Sequence, residues 1–211
     1  MIFNPYMFFV VLSVGAGTLC AVLLCRKTGV GKQTIIYSTF MALFSAAIMS
    51  CWSVFIFSGG KQFGVSGLGA IGGILIGLVI CIFIFKDHPA ELISSWVVSA
   101  PLMYSISKIG CIKAGCCGGR LFGLPIQPVE SAVFLMIFII SVSLFFIIKN
   151  KKISAFVAML LSFIVRFSVE FGRLDHQAGK LSLNQILVLV GAGMAAAVFL
   201  IGRRIYVNGK Q

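Results

Sequence analysis

Residues 131–148 read Ser131-Ala132-Val133-Phe134-Leu135-Met136-Ile137-Phe138-Ile139-Ile140-Ser141-Val142-Ser143-Leu144-Phe145-Phe146-Ile147-Ile148, without one charged side chain. Lys149, Lys151 and Lys152 follow at once, and a second apolar run covers 153–172. A helix needs roughly 20 mostly apolar residues to cross a hydrocarbon core about 30 Å thick. The stretch therefore predicts a membrane-spanning helix closed by a basic turn. The same pattern recurs at about 6–25, 35–58, 67–85, 92–107 and 183–201, which makes seven expected spans. The run at 92–107 is the weakest, being short and interrupted by Pro101. Seven spans take up roughly 140 residues, so a single integral membrane domain over 1–211 is expected, with no room for a soluble one.

Composition agrees. Hydrophobic residues make up 60% of the chain and charged ones 10%, against roughly 45–50% and about 25% in soluble domains. Mean hydropathy is +1.10. A soluble enzyme could not hide so much apolar surface, and disordered chains are apolar-poor. The net charge is +12, from 17 Lys and Arg against 5 Asp and Glu. In a soluble protein that excess would suggest nucleic acid. Here the basic residues sit in breaks between apolar runs, which points to membrane topology and anionic headgroups, not to nucleic acid.

The basic residues also orient the chain. With the N-terminus outside, inner loops hold Arg26, Lys27, Lys32, Lys86, Lys149, Lys151, Lys152, Arg203, Arg204 and Lys210. Outer loops hold Lys61, Lys108, Lys113, Arg120, Arg173 and Lys180, and Arg166 lies within a span. The positive-inside rule then favours N-out, C-in. Three of the outer exceptions fall in one Gly/Cys-rich loop, expected over 108–130. The first span is not expected to be a removable signal peptide, because Arg26 and Lys27 follow it and no basic segment precedes it.

Seven cysteines are present. Cys20, Cys25, Cys51 and Cys81 fall in or at the ends of spans, where Cys acts as a small hydrophobe. Cys111, Cys116 and Cys117 cluster, but no second Cys/His pair stands at zinc spacing. No metal is expected.

Three segments could carry chemistry. In Gly67-Leu68-Gly69-Ala70-Ile71-Gly72-Gly73-Ile74-Leu75-Ile76-Gly77, Gly69, Gly73 and Gly77 share one helix face. That face either lets a neighbouring helix approach closely or leaves room for a lipid near Gly64–Gly69. In Ser107-Lys108-Ile109-Gly110-Cys111-Ile112-Lys113-Ala114-Gly115-Cys116-Cys117-Gly118-Gly119-Arg120, glycine is too dense for a good helix. Its backbone N–H groups, with Lys108 and Arg120, could hold a phosphate, or it is an ordinary outer loop. In Arg166-Phe167-Ser168-Val169-Glu170-Phe171-Gly172-Arg173, the charged residues recur at i, i+4 and i+7, on one face. Charges at membrane depth are expensive. They either form a satisfied pair holding helices together or line a cavity that binds an anion.

These segments resemble the prolipoprotein diacylglyceryl transferase family of bacterial membranes. The stretch Ile109-Gly110-Cys111 to Ala114-Gly115-Cys116-Cys117-Gly118-Gly119-Arg120 resembles the family's signature loop in a cysteine-containing form. Arg166 to Arg173 resembles its Arg-Phe, Glu-Phe, Arg motif. Ser58-Gly59-Gly60 with Gly67 to Gly73 resembles its Gly-rich third-span entry, and Leu181-Ser182-Leu183-Asn184-Gln185 the opening of its last span. Pro128 and Glu130 resemble its Pro-containing segment before the fifth span.

The resemblance implies seven spans in a bacterial plasma (inner) membrane, N-out and C-in. It implies transfer of the diacylglyceryl group of phosphatidylglycerol to the lipobox cysteine thiol in the signal peptide of a preprolipoprotein, releasing glycerol phosphate. No cofactor or metal is required. On this reading Arg166, Glu170 and Lys108 serve the reaction, while Arg120, Arg173, Gly119, Gly67 and Glu130 hold substrate. Departures are also plain. Ser107-Lys108 stands where the family has Gly-Arg, Gln127-Pro128 where it has His-Pro, and no Arg occurs around Ser50–Trp52. Neither His88 nor His176 falls at a motif position. A relative that binds anionic phospholipid or a client peptide without transfer is the second expectation. A small transporter gated by Arg166 and Glu170 is the third.

Overall fold

The computed structural model describes residues 5–61, 64–116, 118–121, 123–174, 181–182, 185–186, 188–189 and 192–193. Six helices are named among them: α1 (Pro5–Lys27), α2 (Lys32–Phe57), α3 (Gly67–Phe85), α4 (Pro89–Ala114), α5 (Ile126–Ile147) and α6 (Lys151–Glu170). Strands β1 (Arg120–Leu121) and β2 (Leu124–Pro125) form a small antiparallel hairpin, Arg120 opposite Pro125 and Leu121 opposite Leu124. Among the described residues, four helical segments are long and apolar enough to cross a membrane: Tyr6–Lys27, Lys32–Ile56, Ile126–Ile147 and Lys151–Glu170. Gly69–Phe85 is a shorter apolar helix. The architecture is that of a polytopic helical membrane protein. The seventh expected span, 183–201, lies largely outside the described residues.

Two boundaries correct the sequence reading. The Gly/Cys-rich loop is not 108–130: residues 108–114 close α4, and 126–130 open α5. Lys108 and Glu130 therefore stand on helices. Gly110 does not loosen α4. A β-carbon there would lie 2.9 Å from the Phe9 side chain and 3.3 Å from the Tyr6 carbonyl, so tertiary contact outweighs glycine's weak helix propensity. Pro128 falls in the first turn of α5, where a missing N–H costs nothing.

Pro101 likewise does not end the fourth helix, which extends three residues before the expected 92–107 and seven beyond it. Leu92, Ser94, Ser95, Trp96, Val98, Ser99 and Ser105 of α4 are all buried. A helix enclosed by protein can carry serines that a lipid-facing one would not, which explains its weak hydropathy.

The chain divides into two compact units, one of residues 18–96 and one of 1–17 with 97–211. Within the first, α2 and α3 pack through the glycine stripe. A β-carbon on Gly69, Gly73 or Gly77 would fall less than 3 Å from backbone atoms of Met49, Ser45 and Met41 respectively. Of the two readings of that stripe, close helix approach is the one observed. Asp87, in the turn after α3, caps α2: its Oδ2 accepts from the Gly31 N–H at 2.8 Å and the Thr34 hydroxyl at 3.0 Å. Gly31 is the N-cap residue and has no side chain of its own to do this.

Within the second unit, α5 and α6 are joined by a turn in which Lys151 Nζ donates to the Ile148 carbonyl at 2.9 Å. Asn150 caps α6 by accepting from the Lys152 N–H at 3.2 Å. Residues 118–120 then bind the end of α6. The Arg120 N–H donates to the Gly172 carbonyl at 3.0 Å, and the Leu174 N–H to the Gly118 carbonyl at 3.2 Å.

Candidate functional site

The buried face of α4 sets the first side of the site. Tyr104 and Lys108 lie one turn apart, so they share that face. Ser105 fixes α4 against α5: its hydroxyl donates to the Ser131 carbonyl at 2.8 Å, and the Ser131 hydroxyl donates back to the Ser105 carbonyl at 3.0 Å. That pair brings Glu130 to Lys108, with Glu130 Oε2 2.6 Å from Lys108 Nζ.

α6 supplies the other side. Arg166 and Glu170 are one turn apart, and Arg173 follows just past the helix end. Arg166 Nη1 lies 3.2 Å from Glu130 Oε1 and 3.2 Å from Glu170 Oε2. Arg173 Nη2 lies 3.2 Å from Glu130 Oε1, and its Nε 3.1 Å from Glu170 Oε2. Three cations thus converge on Glu130. The Tyr104 hydroxyl donates to the same Oε1 at 3.1 Å. Glu170 Oε1 accepts from the Ser182 hydroxyl at 3.2 Å, and Gln185 Oε1 accepts the Ser182 N–H at 2.9 Å.

Burial is graded across this network. The Glu130 side chain is 0% exposed and that of Lys108 7%, whereas Arg173 keeps 11% and Arg166 16%. The guanidinium groups are the accessible side. Charges removed from water this far are tolerated only when paired, and here each charged group has an ion-pair partner. Chemically, the arrangement is an anion seat already holding two carboxylates.

Of the residues singled out from sequence, Lys108, Glu130, Arg166, Glu170 and Arg173 come together. Arg120 does not join them. Its side chain is exposed and makes no ion pair among the described residues, and its contribution is backbone pairing with Gly172. Gly119 forms a bridge with Arg173. A β-carbon on it would lie 2.9 Å from the Arg173 Cα, so glycine there lets the loop seat the last arginine. Gly67 opens α3 in the other unit, with no atom of the described residues within 4 Å of the position of a β-carbon.

Tyr104 was not singled out, and Ser182, Gln185 and Gln127 entered only through the family resemblance, with no site role given to them. Tyr104 was findable, since it precedes Lys108 by one turn. Gln127 donates from Nε2 to the Cys116 carbonyl at 2.8 Å, holding the loop to α5. The resemblance of 181–185 did not tie Ser182 or Gln185 to the charged network, because the α6 residues they bond are 12 or more positions away. Among the described residues no group of three or more His, Cys, Asp or Glu could hold a metal ion.

The fold and site define a helical membrane protein with an ionic cluster at the end of its α6 helix. No family model matches the chain. It is 28% identical, over 220 residues, to phosphatidylglycerol–prolipoprotein diacylglyceryl transferase 2 of Clostridium perfringens (strain 13 / Type A). The match covers 84% of this chain and 85% of that protein. The similarity to a prolipoprotein diacylglyceryl transferase is therefore distant and runs through most of both chains.

Proposed function

We propose that this protein transfers the diacylglyceryl group of phosphatidylglycerol to the lipobox cysteine thiol of a preprolipoprotein. The observation carrying the proposal is the convergence of Lys108, Arg166 and Arg173 on one buried point. The similarity over 84% of the chain to a protein with that name supports it. The chain is read as one integral membrane unit with seven crossings, N-out and C-in, in a bacterial plasma membrane. No cofactor is invoked.

The reaction asks for three things. The sulfur must form a bond to the glyceryl carbon. The bond from that carbon to the phosphate oxygen must break, with the electron pair leaving on glycerol phosphate. The thiol proton must leave. Charge therefore develops on phosphate, where preorganised donors stabilise it best. Arg166 and Arg173 present guanidinium forks suited to phosphate oxygens, and Lys108 adds a point charge. Glu170 orients both arginines, Glu130 orients all three cations, and Gly119 seats Arg173. Arg120, exposed on the hairpin, meets the headgroup as it arrives.

A second reading, phospholipid or client-peptide binding without transfer, is favoured by one observation: all three cations are already ion-paired. One assay separates them. The protein is reconstituted with phosphatidylglycerol and a lipobox peptide, and the peptide is weighed for one added diacylglyceryl group. Product lost in Arg166→Ala and Arg120→Ala supports transfer, whereas bound lipid without product supports the second reading.

A further inference from the structure

Resting on the reading of this cluster as a phosphate seat, we propose that Glu130 limits the seat to one surplus positive charge, so that it accepts a singly charged phosphodiester and rejects a doubly charged phosphomonoester. Among the described residues the network sets Lys108, Arg166 and Arg173 against Glu130 and Glu170, a surplus of one. Tyr104 and Ser182, which also touch the carboxylates, are neutral hydroxyls.

Glu130 is the residue that sets this balance. Glu130 touches all three cations and is fully buried. Water is poorly placed to screen a mismatch there, so net charge decides what the seat will hold. A phosphodiester headgroup brings one negative charge and cancels the surplus. A phosphomonoester carries about −1.5 to −2 near neutral pH and exceeds it. A zwitterionic headgroup brings a cation that the surplus repels.

The selection has a direction in the proposed reaction. When the sulfur–carbon bond forms and the carbon–oxygen bond breaks, the electron pair of the broken bond leaves on the phosphate oxygen and the thiol proton passes to bulk water, so the diester becomes a monoester with a second charge. The product then carries more charge than the seat can cancel, which favours its exchange for a fresh diester. Glu130 acts through the cations it holds, as a specificity-determining counter-ion.

The test uses the full-length protein in detergent, with short-chain phosphatidylglycerol as ligand and glycerol phosphate as competitor, for wild type and Glu130→Gln. Glycerol phosphate should displace the lipid at least about 10-fold more effectively from the variant, whose surplus is two. Equal displacement from both overturns the proposal. Should Glu130→Gln fail to fold, Lys108→Gln and the double variant Lys108→Gln/Glu130→Gln answer the same question. Lys108→Gln has no surplus and should bind the lipid at least about 10-fold more weakly than wild type. The double variant regains a surplus of one and should recover that loss. A double variant that binds no better than Lys108→Gln also overturns the proposal. Wild type that binds phosphatidylglycerol no better than phosphatidylcholine sinks the phosphate seat itself, and this inference with it. Preference for phosphatidylglycerol with unchanged competition sinks the inference alone.

Discussion

The carbonyl oxygen of Gly172 occupies the space where Gly119 would carry a β-carbon. The two glycines let the hairpin loop lie directly against the end of α6, with Arg120 and Leu174 each donating a backbone hydrogen bond across the junction. Gly119→Ala should therefore cost about 1–3 kcal/mol, the range for forced overpacking, and should weaken anion binding because Arg173 moves with the junction. Gly123→Ala is the control. Its φ is +79° but none of the described residues lies near its β-position, so only backbone strain of roughly 1 kcal/mol is expected. Thermal unfolding in detergent compares the two, and equal losses would refute the packing explanation.

Lys108→Met leaves Glu130 with two of its three cations. Breaking a buried ion pair from one side typically costs about 3–5 kcal/mol. The expected result is a large drop in the unfolding midpoint together with weaker binding of phosphatidylglycerol. A variant as stable as wild type would show that the 2.6 Å contact between Lys108 and Glu130 contributes little.

Gly73→Ala should destabilise the 18–96 unit by about 1–3 kcal/mol, because the new methyl meets the Ser45 backbone. Gly72→Ala, one residue away, meets nothing within 4 Å and should be neutral or stabilising by up to about 1 kcal/mol. A denaturant titration of the two variants reads the contrast directly, and a reversed order rejects it.

Acid should weaken the cap that Asp87 places on α2. The Gly31 N–H and the Thr34 hydroxyl hold its carboxyl below the ordinary value of 3.8. A depressed carboxylate pKa contributes stability that is complete above the unfolded value and is lost as pH falls through the folded one. The stability gap between wild type and Asp87→Ala should thus be constant from about pH 7 to 5 and shrink below pH 4. A gap that widens on acidification contradicts the cap.

Sequence alone determined the helical membrane class, and it did so because a bilayer imposes a length and an apolar run on each crossing that no soluble fold requires. Gly67–Phe85 was legible to the residue, and the i, i+4, i+7 spacing of Arg166, Glu170 and Arg173 already placed three charges on one face. What sequence could not supply was the distance from Lys108 to Glu130 or from Glu130 to Arg173. Those residues are separated by 22 and 43 positions, and their meeting depends on the Ser105–Ser131 hydrogen bonds and on the Gly119–Arg173 bridge. Nor could glycine content decide whether 108–114 was loop or helix, because its propensity is weak against packing. Tertiary structure assigned Lys108 to the network and left the side chain of Arg120 outside it. Only packing chooses which of two nearby cations a buried carboxylate will hold.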